Sequence, residues 1–130
     1  MRLSSLRDDG GAAVAEFVMT STLLVFVFMA VVQLGLTLHV RNTLISCASE
    51  GARYGAREGS SPEQGAQRTR DLIDRSLSPR FAQAVGASVE TTSDGVEVVV
   101  VSVQAPVPLV GPIGPTDALD VRGRAFSEAQ

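Results

Sequence analysis

The first pattern along the chain is a long run of apolar residues that contains no charge. The run extends from Phe17 to Leu38, and its polar or glycine positions are Thr20, Ser21, Thr22, Gln33, Gly35 and Thr37. At about 1.5 Å per helical residue, its ~22 residues cover roughly 33 Å, which is enough to cross a hydrocarbon core. A cleaved secretory signal has a shorter apolar core of about 7–15 residues. The run therefore predicts a transmembrane helix.

The same helix is predicted to continue beyond the membrane, from Ala12 to about Arg57, because no proline occurs between His39 and Glu58. Small residues recur along this stem at every fourth position, in the rows Cys47, Gly51, Gly55, Gly59 and Ala48, Ala52, Ala56. Such rows allow a second helix to approach closely.

Two glycines in a free-standing helix would each cost about 1 kcal/mol relative to alanine. We therefore expect a helix-packing face, directed at the chain's own globular part or at a neighbouring subunit, formed by Gly51, Ala52, Gly55 and Ala56. The alternative is that the glycines mark fraying of the helix toward Gly59.

The remainder of the chain predicts a short helix followed by a small sheet. Ser61 is the expected N-cap, with Pro62 at the first helical position and Gln64 completing a capping box. Ala66, Leu72, Ile73 and Leu77 give this helix its apolar stripe. Three strands are expected within 86–93, where Val89 points inward, 96–103, which is central, and 119–125. The proline-rich stretch 105–116 is unsuited to a central strand.

Composition and charge narrow the function classes. The chain has 11 basic residues, all of them arginine, against 14 acidic residues and a net charge of −3. It lacks the basic face that nucleic-acid binding requires, so no nucleic-acid partner is expected. Cys47 is the single cysteine and is read as a packing residue; His39 is the single histidine and is read as an interfacial residue. We find no metal-ligand, phosphate-loop or hydrolase motif, and expect no cofactor and no enzymatic activity.

The segment before the apolar run has a distinctive order of residues. A polar leader ends at Gly11, four small or apolar residues follow, and then come Glu16 and the aromatic Phe17. Without further context, an acid at this position reads as an interfacial residue. The full arrangement resembles the leader of type IV pilins, in which a prepilin peptidase cuts after the glycine. The resemblance implies a cut between Gly11 and Ala12.

Such a cut would leave a cationic amine on Ala12 at the membrane interface. The resemblance makes Glu16 the fifth residue of the mature chain, where its carboxylate can neutralise the amine of an adjacent subunit. In a medium of low dielectric constant this pairing is strong, and it would set the axial register between subunits.

Three short segments carry a closer resemblance: Gly-Ala-Ala-Val-Ala-Glu-Phe at 11–17, Arg-Asn-Thr-Leu at 41–44 and Glu-Gly-Ala-Arg-Tyr-Gly-Ala at 50–56. Together they resemble the TadE-like family of tight-adherence (Flp) pilus assembly pseudopilins. That family usually has an alanine-rich stretch before its Gly-Ala-Arg-Tyr, where this chain has Ser-Cys-Ala-Ser at 46–49.

The resemblance implies an α+β fold of type IV pilin-like architecture, with a long N-terminal helix, a shorter second helix and a three-stranded antiparallel sheet. The expected segments are a leader at 1–11, a transmembrane helix at 12–38, a helical stem at 39–58 and a small external α+β domain at 59–130.

The resemblance also implies a structural pseudopilin held in the cell membrane. Its leader would face the cytoplasm and its C-terminal domain would lie outside. Its expected partners are the lipid bilayer, a prepilin peptidase and other pilins or pseudopilins. The alternative is an unprocessed single-pass membrane protein whose external domain binds a ligand or a partner.

Overall fold

The chain is α+β, as predicted. The computed structural model describes residues 5–109 and 118–128, with side chains from residue 9 onward. In chain order the elements are α1 (Ser5–Gly55), α2 (Pro62–Ser76), a 3-10 turn (Pro79–Phe81), β1 (Ala84–Thr91), β2 (Glu97–Pro106) and β3 (Ala118–Phe126). A long apolar helix, a second helix and three antiparallel strands confirm the expected fold class.

The chain divides into two compact units, Met1–Gly35 and Leu36–Gln130. The described part of the first unit is helical, and its large apolar side chains are exposed, with Phe17 at 72% and Met19 at 73%. Only 6% of the most apolar stretch of α1 is buried, whereas the core helix of a soluble protein would be mostly buried. By length and composition α1 is able to cross a membrane, and it is the one such helix in the described part of the chain.

The ends of α1 differ from the predicted ones. The helix begins at Ser5 rather than Ala12 and ends at Gly55 rather than about Arg57. A shift of two residues at the end is within ordinary fraying. The earlier start passes through two consecutive glycines, at positions 10 and 11, which together cost about 2 kcal/mol relative to alanine. Good helix formers on both sides of the pair, and acidic residues near the helix start, favour helix there.

Helix α2, which belongs to the second unit, starts with the predicted cap. The backbone N–H of Gln64 donates to the Ser61 hydroxyl at 3.3 Å, and the backbone N–H of Ser61 donates to Gln64 Oε1 at 3.0 Å. This reciprocal pair is a capping box, with Pro62 at the first helical turn. The start of α2 is therefore specified by local sequence.

The sheet has the order β1-β2-β3, so β2 is central, as predicted. The three strands align with Val85 opposite Val103 and Val103 opposite Val121. A tight turn joins β1 to β2, and Gly95 adopts a φ of +82° there, a conformation that residues with a Cβ rarely adopt.

Val89 does not point into the core as predicted. It lies on the same face of β1 as Val85, but burial falls along that face, and Val89 is 49% exposed. The reason is that the helical layer covers only the first half of the strand, so alternation alone marks the face and not the depth of burial.

The core of the second unit joins all its layers. Val40, Leu44 and Ala48 of α1 meet Ile73 of α2 and a set of sheet residues that includes Val85, Val101, Val103, Ala105 and Val121. Leu44 and Ile73 are completely buried. The side chain of Arg70 also ties α2 to the sheet, because its Nη2 donates to the Val85 carbonyl at 2.7 Å.

The opposite face of the sheet carries an ion pair between long side chains. Val98 and Val100 lie on this face and are nevertheless buried. Glu90 is opposite Val98 in the register and Arg124 is opposite Val100, and the two charged groups approach to 4.0 Å across the central strand. Both side chains are at least half exposed, so the ion pair contributes little to stability.

Gly123 of β3 marks the closest approach between α1 and the sheet. A Cβ on this residue would collide with the backbone of Ala48 and Ser49. No side chain therefore fits at this position without moving the helix away from the strand.

We expect Gly123→Ala to destabilise the second unit strongly, because the added methyl meets rigid helix backbone. Overpacking of this kind costs about 1–3 kcal/mol or more, which corresponds to a fall in Tm of at least several degrees. The matched control is Gly86→Ala, where the new Cβ would lie 3.7 Å from the Ser102 hydroxyl, an ordinary contact. The Tm of each variant is measured by thermal unfolding of the full chain in mild detergent. Equal decreases in Tm for the two variants would contradict the close contact at Gly123.

Candidate processing and assembly site

The proposed cleavage bond lies in an open part of α1. Gly11, Ala12, Glu16 and Phe17 are all exposed on this helix. A Cβ placed on either Gly10 or Gly11 would meet nothing within 4 Å. The bond between Gly11 and Ala12 is thus sterically accessible, although it lies within a helical segment.

Glu16 carries the charge nearest to the apolar run. Its carboxylate takes part in no hydrogen bond or ion pair within the part of the chain that the structure describes. Ala12 and Glu16 are four residues apart and so lie one turn apart on the same side of the helix. A helix packed on that side can bring its own residue 12 close to this carboxylate.

The stem of α1 packs against α2 of the same chain. A Cβ on Gly51 would collide with the Thr69 side chain and would lie 2.6 Å from the Gly65 carbonyl oxygen. A Cβ on Gly55 would lie 3.0 Å from the Ser61 carbonyl oxygen and 3.2 Å from the Gly65 Cα. At this crossing the two helix backbones are in direct contact, with glycine on both sides.

The alanine row of the stem is buried as well. Ala52 is fully buried and Ala56 is 4% exposed. The Ala56 carbonyl accepts a hydrogen bond of 2.8 Å from the backbone N–H of Glu128, just beyond β3. The stem is therefore held by α2 through its glycines and by the sheet side through Ala48 and Ala56.

Sequence reasoning missed two contact residues, Gly65 and Thr69. It placed Gly123 on the apolar side of the third strand but did not predict its contact with α1. Thr69 is completely buried, and its hydroxyl can donate to the Gly65 carbonyl at 2.9 Å or to the Cys47 carbonyl at 3.4 Å. The sequence does contain a signal for α2, because Gly65, Thr69 and Ile73 follow each other at four-residue spacing. A search for apolar positions does not find that row, because two of its members are not apolar. Of the predicted apolar stripe, Leu72 and Leu77 are only partly buried.

Cys47 lies beyond the apolar run of α1 and belongs to the core of the second unit. Burial raises the pKa of its thiol, and a weaker opposing effect comes from a hydrogen bond with the Ser76 side chain. A raised thiol pKa disfavours the reactive thiolate. His39, in contrast, is exposed. Within the described residues, no group of three or more His, Cys, Asp or Glu side chains could hold a metal ion.

We expect Cys47 to react slowly with a maleimide reagent in the folded chain and rapidly after denaturation, because the thiol is both buried and protonated. The control is Ser93→Cys in a Cys47→Ala background, which places a thiol at an exposed turn. Comparable rates at the two positions in the folded chain would contradict the burial of Cys47.

The same thiol gives a pH dependence of known sign. The folded-state pKa is raised above the ordinary value of 9.0, so the stabilisation is complete below that value and is lost as pH rises through the folded pKa. The free energy of unfolding should therefore fall more above about pH 9 for the parent than for Cys47→Ala. If the free energy of unfolding changed with pH in the same way for both chains, the raised pKa of the Cys47 thiol would be contradicted.

Comparison with known proteins identifies part of the chain. A family model described as TadE-like protein matches residues 11–53, which extend from the glycine of the leader to the stem. The resemblance to the TadE-like family is therefore confirmed over that segment. The matched segment is thus similar to a family associated with the tight-adherence pilus, and it includes the part of α1 that is long and apolar enough to cross a membrane. No curated protein and no solved structure matches the chain.

Proposed function

We propose that this TadE-like chain is a pseudopilin-like structural subunit of a tight-adherence (Flp) pilus or a related secretion machine. The observation that carries the proposal is the family match over residues 11–53, which begins at Gly11 and includes Glu16 and the apolar helix. In this function the chain is processed by a prepilin peptidase after Gly11, held in the bilayer by α1, and packed against other pilins or pseudopilins.

The exposed apolar side chains of α1 support the membrane step. Phe17, Leu24 and Phe28 are each about two-thirds exposed or more. Exposure of so many large apolar groups to water is unfavourable, whereas lipid accepts them. The helix also satisfies its own backbone hydrogen bonds, as a segment in hydrocarbon must.

The glycine pair before Ala12 supports the processing step. A peptidase has to separate the peptide bond from the helix before it can cut. Gly10 and Gly11 lower the cost of local unwinding by about 2 kcal/mol relative to alanines. The helix is therefore easiest to open at the bond where the cut is proposed, and the small side chains there leave that bond uncovered.

The unpaired carboxylate of Glu16 supports the assembly step. A carboxylate beside an apolar helix is costly unless it finds a partner, and the described part of the chain supplies none. A cut before Ala12 creates a positive amine at nearly the same depth. Pairing between adjacent subunits would satisfy both groups and align the two helices along their axes.

We expect co-expression with a cognate prepilin peptidase to shorten the chain by the mass of its first 11 residues. Gly11→Ala should abolish or strongly reduce that shift. Because an added methyl at Gly11 meets nothing within 4 Å, a loss of cleavage cannot be attributed to a disturbed fold. Mass spectrometry of the membrane fraction measures the result.

Gly10→Ala is the matched control, because it adds the same methyl in equally open space one residue earlier. It should remain a substrate, because it leaves the glycine at the cleaved bond and restores only about 1 kcal/mol of the cost of local unwinding. Recovery of only the intact parent chain in the presence of active peptidase would reject processing, and would favour an unprocessed single-pass protein with a partner-binding external domain.

The proposed orientation places the leader in the cytoplasm and the domain after His39 outside it. A cysteine introduced at Asp94, on the exposed turn between β1 and β2, should react with a membrane-impermeant reagent in cells whose outer barrier has been removed. The background for this experiment is Cys47→Ala. Labelling that requires lysis of the cells would reverse the topology.

We expect Glu16→Gln to separate cleavage from assembly. The substitution preserves size and hydrogen bonding but removes the charge, and a neutral amide is easier to place near lipid than an acid. Insertion and cleavage should therefore persist. Incorporation into the assembled machine should fall, because an unpaired, partly desolvated amine costs on the order of several kcal/mol.

Glu58→Gln is the control for loss of one negative charge, since Glu58 is exposed beyond the end of α1. Incorporation is measured by co-purification with the assembled filament or secretion complex after verified cleavage. If Glu16→Gln were incorporated as well as Glu58→Gln, the pairing mechanism would be rejected while processing would be unaffected.

A further inference from the structure

The sheet of the second unit has two edge strands, β1 and β3, on either side of β2. An edge strand presents a row of backbone N–H and C=O groups that no neighbouring strand bonds, and such a row can pair with another chain. Neither edge strand contains a proline, and their registers with β2 run without a bulge. Both edges are therefore regular over their length.

The last hydrogen bonds of each ladder show which backbone groups point outward. The Thr92 N–H donates to the Val96 carbonyl, and the Ser127 N–H donates to the Glu97 carbonyl, each at 2.9 Å. Bonding alternates along an antiparallel strand, so every second residue of an edge strand turns its N–H and C=O away from the sheet. The outward residues are Val85, Ala87, Val89 and Thr91 on β1, and Ala118, Asp120, Arg122, Arg124 and Phe126 on β3.

One end of the β1 edge already has a partner. The Nη2 of Arg70 in α2 donates to the Val85 carbonyl at 2.7 Å, in agreement with an outward carbonyl at this position. Among the hydrogen bonds between described residues, none reaches the outward backbone groups of Ala87, Val89 or Thr91. Val89 is also 49% exposed, so the helical layer does not cover this half of the strand. Residues 87–91 therefore present an open edge to another strand.

The two edges carry complementary charge on the sheet face that points away from the helices. Glu90 is the charged residue of β1, whereas β3 carries Arg122 and Arg124 together with Asp120. All of these side chains are exposed. Opposite charges on adjacent strands stabilise their pairing, and like charges oppose it. The β1 edge of one copy is therefore better matched to the β3 edge of another copy than to a second β1 edge.

The direction of the strands supports the same match. Gly123 lies against the backbone of Ala48, and further along both elements the Glu128 N–H donates to the Ala56 carbonyl. The stem of α1 and β3 therefore run in the same direction, and so does β1, because both edge strands are antiparallel to β2. Subunits that repeat in one orientation, as in a filament, make heterologous contacts between different surfaces. Two such copies present β1 and β3 to each other as parallel strands, with both helical layers on one side of a continuous sheet.

We propose that the β1 edge of one copy pairs, as a parallel strand, with the β3 edge of the next copy, so that the sheet continues from subunit to subunit. The occupant of the β1 edge is thus a second copy of this chain. The register that places Glu90 beside Arg124 of the next copy aligns all of β1 with residues 118–125. Val89 then lies beside Gly123 of that copy, where the strand has no side chain. The proposal rests on the assembly step of the proposed function, and it concerns the small domain rather than Glu16.

Engineered cysteines test the pairing in the full chain with Cys47→Ala, produced together with the other components of its machine. In the proposed register Ser88 lies beside Arg122 of the next copy, at the strand spacing of about 4.8 Å. This distance suits a disulfide, whose Cα atoms are ~4.4–6.8 Å apart. Within one chain the same two residues lie on strands separated by β2. They are then at least about 10 Å apart, which is too far for a disulfide.

We expect Ser88→Cys/Arg122→Cys to form a ladder of dimers, trimers and longer species on oxidation of the assembled state. Ser88→Cys alone and Arg122→Cys alone should remain monomeric, whereas the two single variants produced together should give dimers. Ser88→Cys/Asp94→Cys is the matched control for random collision, because Asp94 lies on an exposed turn outside the paired stretch. Dimers from Ser88→Cys alone, or an equal ladder from the collision control, would overturn the proposal.

A second pair of variants isolates the backbone contribution. Val89→Pro removes an N–H that points away from β2, so the hydrogen bonds between β1 and β2 remain, and edge strands accept proline at such positions. Val89→Thr keeps both the N–H and the β-branched shape. In the Ser88→Cys/Arg122→Cys background, cross-linking should fall severalfold with proline and persist with threonine, with the fold of each variant verified by its Tm. Equal cross-linking by the two folded variants would overturn pairing through the backbone.

Co-purification with the assembled complex separates this proposal from the function on which it rests. If Ser88→Cys/Arg122→Cys is incorporated but gives no ladder, the edge pairing is rejected and the assembly step holds. A ladder without incorporation supports the edge pairing and rejects the assembly step. If the chain is neither incorporated nor cross-linked, both are rejected.

Discussion

The structure of the second unit depends on how closely the stem of α1 approaches its two neighbours. The backbones of α1 and α2 meet at glycines on both helices, and the backbone of α1 meets β3 at Gly123. Dispersion attraction grows as such surfaces come together, but a single Cβ at these points would separate them. Bulkier residues elsewhere, such as Leu44 and Ile73, then fill the space that remains. The small residues therefore set the geometry, and the large residues stabilise it.

This constraint gives a physical meaning to the Glu-Gly-Ala-Arg-Tyr-Gly-Ala segment at 50–56. Gly51 and Gly55 allow α2 to touch the stem, while Ala52 and Ala56 are buried beside them. Tyr54 is only partly buried, and the guanidinium of Arg57 lies 5.6 Å from the centre of its ring. The segment thus serves packing in this chain.

Local signals in the sequence predicted much of this fold, because they act through local physics. The apolar run, the capping box at Ser61 and the β-branched central strand each depend on neighbouring residues alone. The exposure of Val89 and the contact at Gly123 depend on how far a distant helix extends over the sheet, which no local pattern contains. Gly11 and Glu16 were predicted as site residues from the family resemblance and from their spacing. The structure adds that both residues are exposed.

The direction of the stem glycines also limits where contacts between subunits can form. Sequence reasoning left two partners open for Gly51 and Gly55, the chain's own globular part or a neighbouring subunit, and the structure places both against α2. A surface occupied in this way by α2 is not available to a second chain. If the chain assembles as proposed, contact between subunits must use other surfaces: the exposed apolar side chains of α1 from Val14 to Leu38, with the charge at Glu16, and the exposed faces of the small domain. The chain then separates two kinds of helix packing along one helix, with large lipid-compatible side chains for contacts between subunits and small residues for its own fold.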